Sequence, residues 1–228
     1  MRTSVVCAVV LAVSMLPVRV SAQGGVLIAT RETREKVAAQ QSNIWDVFRD
    51  RRSVRRFKSD AVPEADILRI IDAARLAPTS GNQQPWKFLI IRDKDKITQM
   101  KDACIKRSLD RLDGDQKRQA EERIRSRMND YFSAPVYIVV LTDNTSMYPD
   151  YNHRDGPLAA GYLMLAARAL GYGTVFITDA IPNDVTKEVL SIPDKYTRVC
   201  ITPLGVPVES PASPAGKKLE EFILSNRR

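Results

Sequence analysis

Apolar residues recur at two spacings along this chain, and the spacings divide it into elements. Ser42 is placed to cap a helix with Ile44, Val47 and Phe48 on one face, ending near Asp50. A second helix starts at Pro63, whose missing N–H would be unpaired in a first turn anyway, and Ile67, Leu68, Ile71 and Ala74 form its buried stripe before Pro78 stops it. Lys87 to Ile91 and Val136 to Leu141 read as strands. Between them, Lys94 to about Tyr131 is helical but broken around Asp113-Gly114-Asp115. A turn-rich stretch, Asp143 to Asp155, leads into a helix from about Pro157 to Leu170 that is almost uncharged and so buried on most sides, with Gly171 as its left-handed cap. Thr174–Thr178 and Arg198–Leu204 supply two more strands around a short helix near Asn183–Leu190. Pro207 to Ala215, rich in proline, is an extended arm. Strands and helices alternate without tidy βαβ units, so pattern alone predicts a mixed α and β domain.

The first forty residues follow another logic. Met1-Arg2 is a short positive start, Ser4 to Leu16 is an almost uninterrupted apolar run, and Val20-Ser21-Ala22 offers the small residues of a cleavage site. This predicts a signal peptide, residues 1–22, cleaved after Ala22, and hence a periplasmic or secreted protein. The rival is a retained anchor, but a bilayer span needs about 20 apolar residues and this run is shorter. No stable membrane insertion is expected after cleavage. Residues 23–40 form a polar extension, and residues 41–228 are one domain, a length that supports a core without staples.

Composition narrows the chemistry. The formal charge is +8, and loss of Arg2 and Arg19 with the leader leaves +6, which favours anions, phosphorylated cofactors among them. Nucleic acid is not expected, because the basic residues from Lys94 to Arg127 alternate with Asp and Glu and no nucleic-acid motif accompanies them. Cys104 and Cys200 remain in the mature chain. Export permits a disulfide, but Val199-Cys200-Ile201 looks like buried strand, and two free thiols are the expectation. With no CxxC and a solitary histidine, His153, no metal site is predicted. No Ser-His-Asp set and no paired carboxylates appear, so hydrolysis has no candidate machinery.

Two stretches concentrate binding chemistry. Arg51-Arg52-Ser53-Val54-Arg55-Arg56-Phe57 packs guanidinium forks and a hydroxyl together, and forks suit a phosphate dianion through paired, charge-assisted hydrogen bonds. Ala77-Pro78-Thr79-Ser80-Gly81-Asn82-Gln83-Gln84-Pro85-Trp86 is a loop between helix and strand whose amides both donate and accept, as the edge of a heteroaromatic ring requires.

Together these stretches resemble the R-x-S-x-R segment and the A-P-S-x-x-N-x-Q-P-W loop of the nitroreductase family. The likeness continues at Gly156–Gly173, Thr174–Thr178, Pro203-Leu204-Gly205 and Lys217–Glu221, covering the chain from about Trp45 onward. The resemblance implies an α+β fold of three layers, a mostly antiparallel sheet between helices. It also implies a homodimer with the C-terminal arm wrapped on the partner and FMN at the interface. The uncharged helix around Gly161–Leu170 fits a dimer core.

By the same resemblance Arg51 and Ser53 hold the phosphate and ribityl chain, with Arg52 assisting. Arg55 approaches the N1/C2 edge of the ring, where a cation stabilises charge that develops on reduction. Asn82 pairs with the pyrimidine edge, Pro78, Thr79 and Ser80 line the pocket with a hydroxyl able to reach the cofactor, and Thr178 and Asp179 present backbone to the N5 side. Asp179 departs from the small or neutral residue usual there, so its carboxylate is expected to point away. Lys217 or Lys218 closes over the phosphate where many relatives carry arginine. The implied activity is hydride transfer from NADPH or NADH through FMN to a nitroaromatic or quinone-type acceptor. The alternatives are a specialised flavin enzyme of the same scaffold, either flavin-fragmenting or a reductive dehalogenase, whose lid clamps an amino acid with a Glu, a Tyr and a Lys. A cofactor-free binding protein is the reading from another class.

Overall fold

The structure is a computed structural model that describes residues 44–213 and 216–224. The leader, the polar extension and Ser42 lie outside the described residues. Helix α1 is Ile44–Asp50, α2 Glu64–Ala74, α3 Lys94–Leu109, α4 Gly114–Tyr131, α5 Asn152–Ala169 and α6 Asn183–Leu190; strands β1, β2 and β3 are Trp86–Ile91, Val136–Asp143 and Tyr196–Leu204.

The sheet is antiparallel in the order β1-β2-β3, with Phe88 opposite Val140, Val139 opposite Ile201, and a bulge between Val140 and Leu141. The central strand explains the layering. Val136 to Thr142 are all buried, so β2 has core on both faces. Tyr137, Val139 and Leu141 pack with residues of α3, α4 and α6, whereas Val136, Ile138 and Val140 pack with those of α2 and α5. A period of two therefore feeds two separate cores from one strand, giving the expected three-layer α+β fold. Cys104 belongs to the first core and Cys200 to the second, and both are free thiols.

Four details depart from the pattern reading. On α2 the buried stripe is Ile67, Ile70 and Ala74, and Leu68 is 54% exposed, because the face at spacings of three and four is the one that meets the sheet. On α1 only Val47 is buried, which leaves Ile44, Trp45 and Phe48 in solvent. Helix α5 begins at Asn152 rather than Pro157. Its first turn is held by tertiary bonds, Asn152 donating Nδ2–H to the Asp143 carbonyl at 2.8 Å, and these outweigh the backbone bond that Pro157 forfeits. Finally, the run from Thr174 to Thr178 is no continuous strand. Thr174 bridges Ser53 in parallel and Ile177 bridges Ile201 antiparallel, so the segment changes partners midway.

Candidate functional site

The arginine-rich stretch is threaded between elements from three parts of the chain. The Arg51 amide donates to the Val47 carbonyl at 3.0 Å, the Val54 amide to that of Thr174 at 3.0 Å, the Lys58 amide to that of Val206 at 2.9 Å and the amide of buried Phe57 to Ser133 Oγ at 3.1 Å. With Val54 and Phe57 turned inward, Arg51, Arg52 and Ser53 are left half-buried and Arg55 exposed. Gly173 lets the segments approach this closely, because a Cβ there would lie 2.8 Å from Val54 Cβ. Arg51, Arg52, Arg168, Thr174 and Ser210 share a small cavity at this edge. Arg52 Nη1 donates to the carbonyls of Arg49 and Arg51, but its buried Nε–H meets no acceptor among the described residues. A desolvated cationic donor without a partner is costly, and the Asp50 carboxylate lines the same small cavity.

The second stretch hangs on a residue that pattern reading left in a polar connection. Asp155, in the first turns of α5 and only 3% exposed, accepts from Thr79 Oγ1 at 2.7 Å, from the Ser80 amide at 3.1 and 3.2 Å, from Ser80 Oγ at 3.2 Å and from Gln83 Nε2 at 2.8 Å. The hydroxyls of Thr79 and Ser80, expected to be available to a cofactor, are thus both directed at Asp155. Burial pushes the Asp155 pKa up, yet the bonds from Gln83, Thr79 and Ser80 outweigh it and hold the carboxyl below its ordinary value. Gln83 also exchanges two bonds with the Tyr148 backbone, 3.1 Å to the carbonyl and 2.8 Å from the amide. Pro78 and Asn82 are exposed, and Asn82 takes a left-handed φ of 54° with its side-chain oxygen accepting from Gln84 Nε2. Trp86 is buried with Ala77 and Ala159, in keeping with a packing role.

Thr178 and Asp179 are exposed at the end of the 174–178 segment, and the Asp179 carboxylate accepts from the hydroxyl of Thr178. Arg198, unnoticed in the sequence, holds this turn. Its guanidinium donates to the carbonyls of Thr178 at 2.6 Å and Ile181 at 2.7 Å and to Thr186 Oγ1 at 2.8 Å. It also lines a cleft of about 510 Å³ with Asn152, His153 and Thr197. Lys217 and Lys218 are exposed on the arm, whose start is tied down by the Val208 amide on the Arg56 carbonyl and an Arg56–Glu209 ion pair.

The structure therefore gathers Arg51–Ser53 with Thr174, Thr79–Gln83 with Asp155, and Thr178–Asp179 with Arg198. Among the described residues no hydrogen bond joins the arginine segment to the Pro78–Asn82 loop. Asp155 had one sequence signal: it is the acidic residue at the head of a helix that is otherwise almost uncharged. Arg198, inside an apolar strand, had a similar one.

A three-layer α+β fold that carries a half-buried Arg51–Arg52–Ser53 cluster offers the guanidinium and hydroxyl donors an anionic group requires. The chain belongs to the nitroreductase family, whose model matches residues 48–206, and that membership makes it an oxidoreductase. A protein of Archaeoglobus fulgidus described as an NADH dehydrogenase/NAD(P)H nitroreductase is 30% identical over 163 residues, 69% of this chain and 81% of the relative. Iodotyrosine deiodinase of Thermotoga neapolitana is 30% identical over 177 residues, 72% of this chain and 88% of the relative. Among solved structures, oxidized iodotyrosine deiodinase bound to FMN and 3-iodo-L-tyrosine matches with a TM-score of 0.67 and 26% identity, over 82% of this chain and 100% of that one.

Proposed function

We propose that this protein is an FMN-dependent oxidoreductase that takes electrons from a reduced nicotinamide and delivers them to a nitroaromatic or quinone-type acceptor. The observation that carries the reading is the half-buried cluster of Arg51, Arg52 and Ser53, whose guanidinium and hydroxyl donors suit a phosphate group, in a chain whose family match spans residues 48–206. FMN, when bound, supplies the reversible two-electron chemistry. The chain's own residues bind and orient it. Arg51, Arg52 and Ser53 take the phosphate end, Arg55 sets a positive charge near the ring, Pro78, Thr79 and Ser80 line the pocket with backbone, and Asn82 offers its free amide N–H to the ring edge. Thr178 and Asp179 flank the reacting side, and Lys217 or Lys218 closes the phosphate end.

The functional unit is a homodimer. In one chain the arginine segment and the Asn82 loop are not joined, and an apolar face formed by Ile44, Trp45 and Phe48 of α1 with Leu158 and Tyr162 of α5 stands exposed. A second copy covers that face and brings its own Asn82 loop to the arginines, with the C-terminal arm exchanged between copies. The leader sends the dimer out of the cytoplasm.

The deiodinase relatives favour a second reading, reductive dehalogenation. The Cys104–Tyr131 region contains the residue types of the Glu, Tyr and Lys clamp that this activity uses, with Glu121, Glu122, Tyr131, Lys106 and Lys117 among them. Tyr131 is the sole tyrosine from Lys94 to Tyr131; it packs on the core and its carbonyl accepts from Tyr137, and Glu121 pairs with Arg125. The test is to purify the protein, record its flavin absorbance, and assay NADH and NADPH against a nitroarene, a quinone and 3-iodotyrosine. Arg51→Ala with Arg55→Ala should lose the flavin and the turnover. Retention of both, or turnover of iodotyrosine alone, refutes the leading reading.

A further inference from the structure

We infer that Asp155 is the positioning residue of the loop that carries Asn82, holding it in a backbone conformation it would not keep by itself and setting a fixed negative charge behind it. The inference rests on the flavin reading of that loop. Gly81, Asn82 and Gln84 have φ of 57°, 54° and 48°, a left-handed cluster in which the two side-chain-bearing residues are each strained. Such a loop persists only where its surroundings over-determine it. Here the anchors are Ser80, just before the left-handed residues, and Gln83, between Asn82 and Gln84, and both end on the same carboxylate.

The choice of residue is chemically specific. An ionised carboxylate only accepts and has about four acceptor sites, and the loop presents four donors: two hydroxyls, a backbone N–H and the Gln83 amide. Asparagine at this position would keep one acceptor oxygen, for which the Ser80 N–H and the Gln83 amide would compete, while the hydroxyls would have to reverse to accept from its N–H₂. Asp155 has no ion-pair partner among the described residues, so these donors and the N-terminal turns of α5 are what keep its charge tolerable. Loop and carboxylate therefore depend on each other. Tyr148 adds a lid to the arrangement, since its ring lies so close that a Cβ on Gly81 would be 2.4 Å from Tyr148 Cε2.

The experiment is Asp155→Asn in the full-length, FMN-loaded protein. Loss of charge-assisted bonds is expected to weaken FMN binding about 10- to 100-fold, followed by flavin fluorescence on titration of the apoprotein. Amides 79–83 should exchange faster with solvent, and the flavin midpoint potential should move positive, because a negative charge that disfavours the reduced form is gone. A carboxylate that merely braced α5 would leave the potential unmoved. Should Asp155→Asn not fold, Gln83→Leu, which removes one of the four donors on Asp155 together with the two bonds to the Tyr148 backbone, should weaken FMN binding at least a few-fold. Affinity within twofold of wild type together with unchanged exchange and potential overturns the inference. A wild-type protein that takes up no FMN instead overturns the flavin reading on which it rests.

Discussion

Substituting Gly156 tests how tightly α5 is seated on the sheet. Gly156 is buried one residue beyond Asp155, and a Cβ there would meet Val199 Cγ2 at 2.4 Å and Thr142 Cγ2 at 3.0 Å. Two opposed effects set the outcome of Gly156→Ala. Alanine in a helix interior gains about 0.5–1 kcal/mol over glycine, whereas overpacking a filled interface costs about 1–3 kcal/mol. The clash should win by about 1 kcal/mol, lowering Tm by about 2–4 °C for a chain of this size. Val199→Ala removes both methyls, Cγ1 and Cγ2, and with them the 2.4 Å contact, while Thr142 Cγ2 stays at 3.0 Å. In that background Gly156→Ala should change sign and become neutral or slightly stabilising. Four proteins melted in urea give the coupling energy, expected to be at least about 1 kcal/mol between two residues in direct contact. Because the helix turn that shifts carries Asp155, FMN affinity should fall in Gly156→Ala and recover in the double variant. Equal destabilisation in both backgrounds would show that Val199 is not what confines the helix, and the packing argument would be wrong.

Two other outcomes follow from single groups. Arg198→Met keeps much of the side-chain stem but removes donors to Thr178, Ile181 and Thr186, the last two buried; it should destabilise by about 2–3 kcal/mol and loosen the 178–181 turn, seen as faster amide exchange there. The thiols of Cys104 and Cys200 are each pushed up to about 12 by burial, so neither forms thiolate at neutral or mildly alkaline pH, and both should react with a thiol reagent only as the protein opens. Rapid labelling of either one below pH 9 in the folded protein would contradict this.

Much of the fold was readable because local periodicity records which face of an element is buried. The apolar run at Val136 to Leu141 read as a strand, and the free state of Cys200 followed from its apolar neighbours. The arginine segment and the Asn82 loop were legible too, since their residue types and order carry the resemblance to a family. Tertiary structure alone decided three things. It set the phase of the α2 stripe, where Ile70 rather than Leu68 faces the core, because the sheet's position chooses among rows that the sequence leaves equivalent. It broke the expected strand at Thr174–Thr178 by giving its two ends different partners. And it joined Asp155 to Thr79, 76 residues away, and Arg198 to Thr178. A charged side chain in a buried turn draws its partners from whatever segment crosses it, and only the crossing of chain segments in space determines which those are.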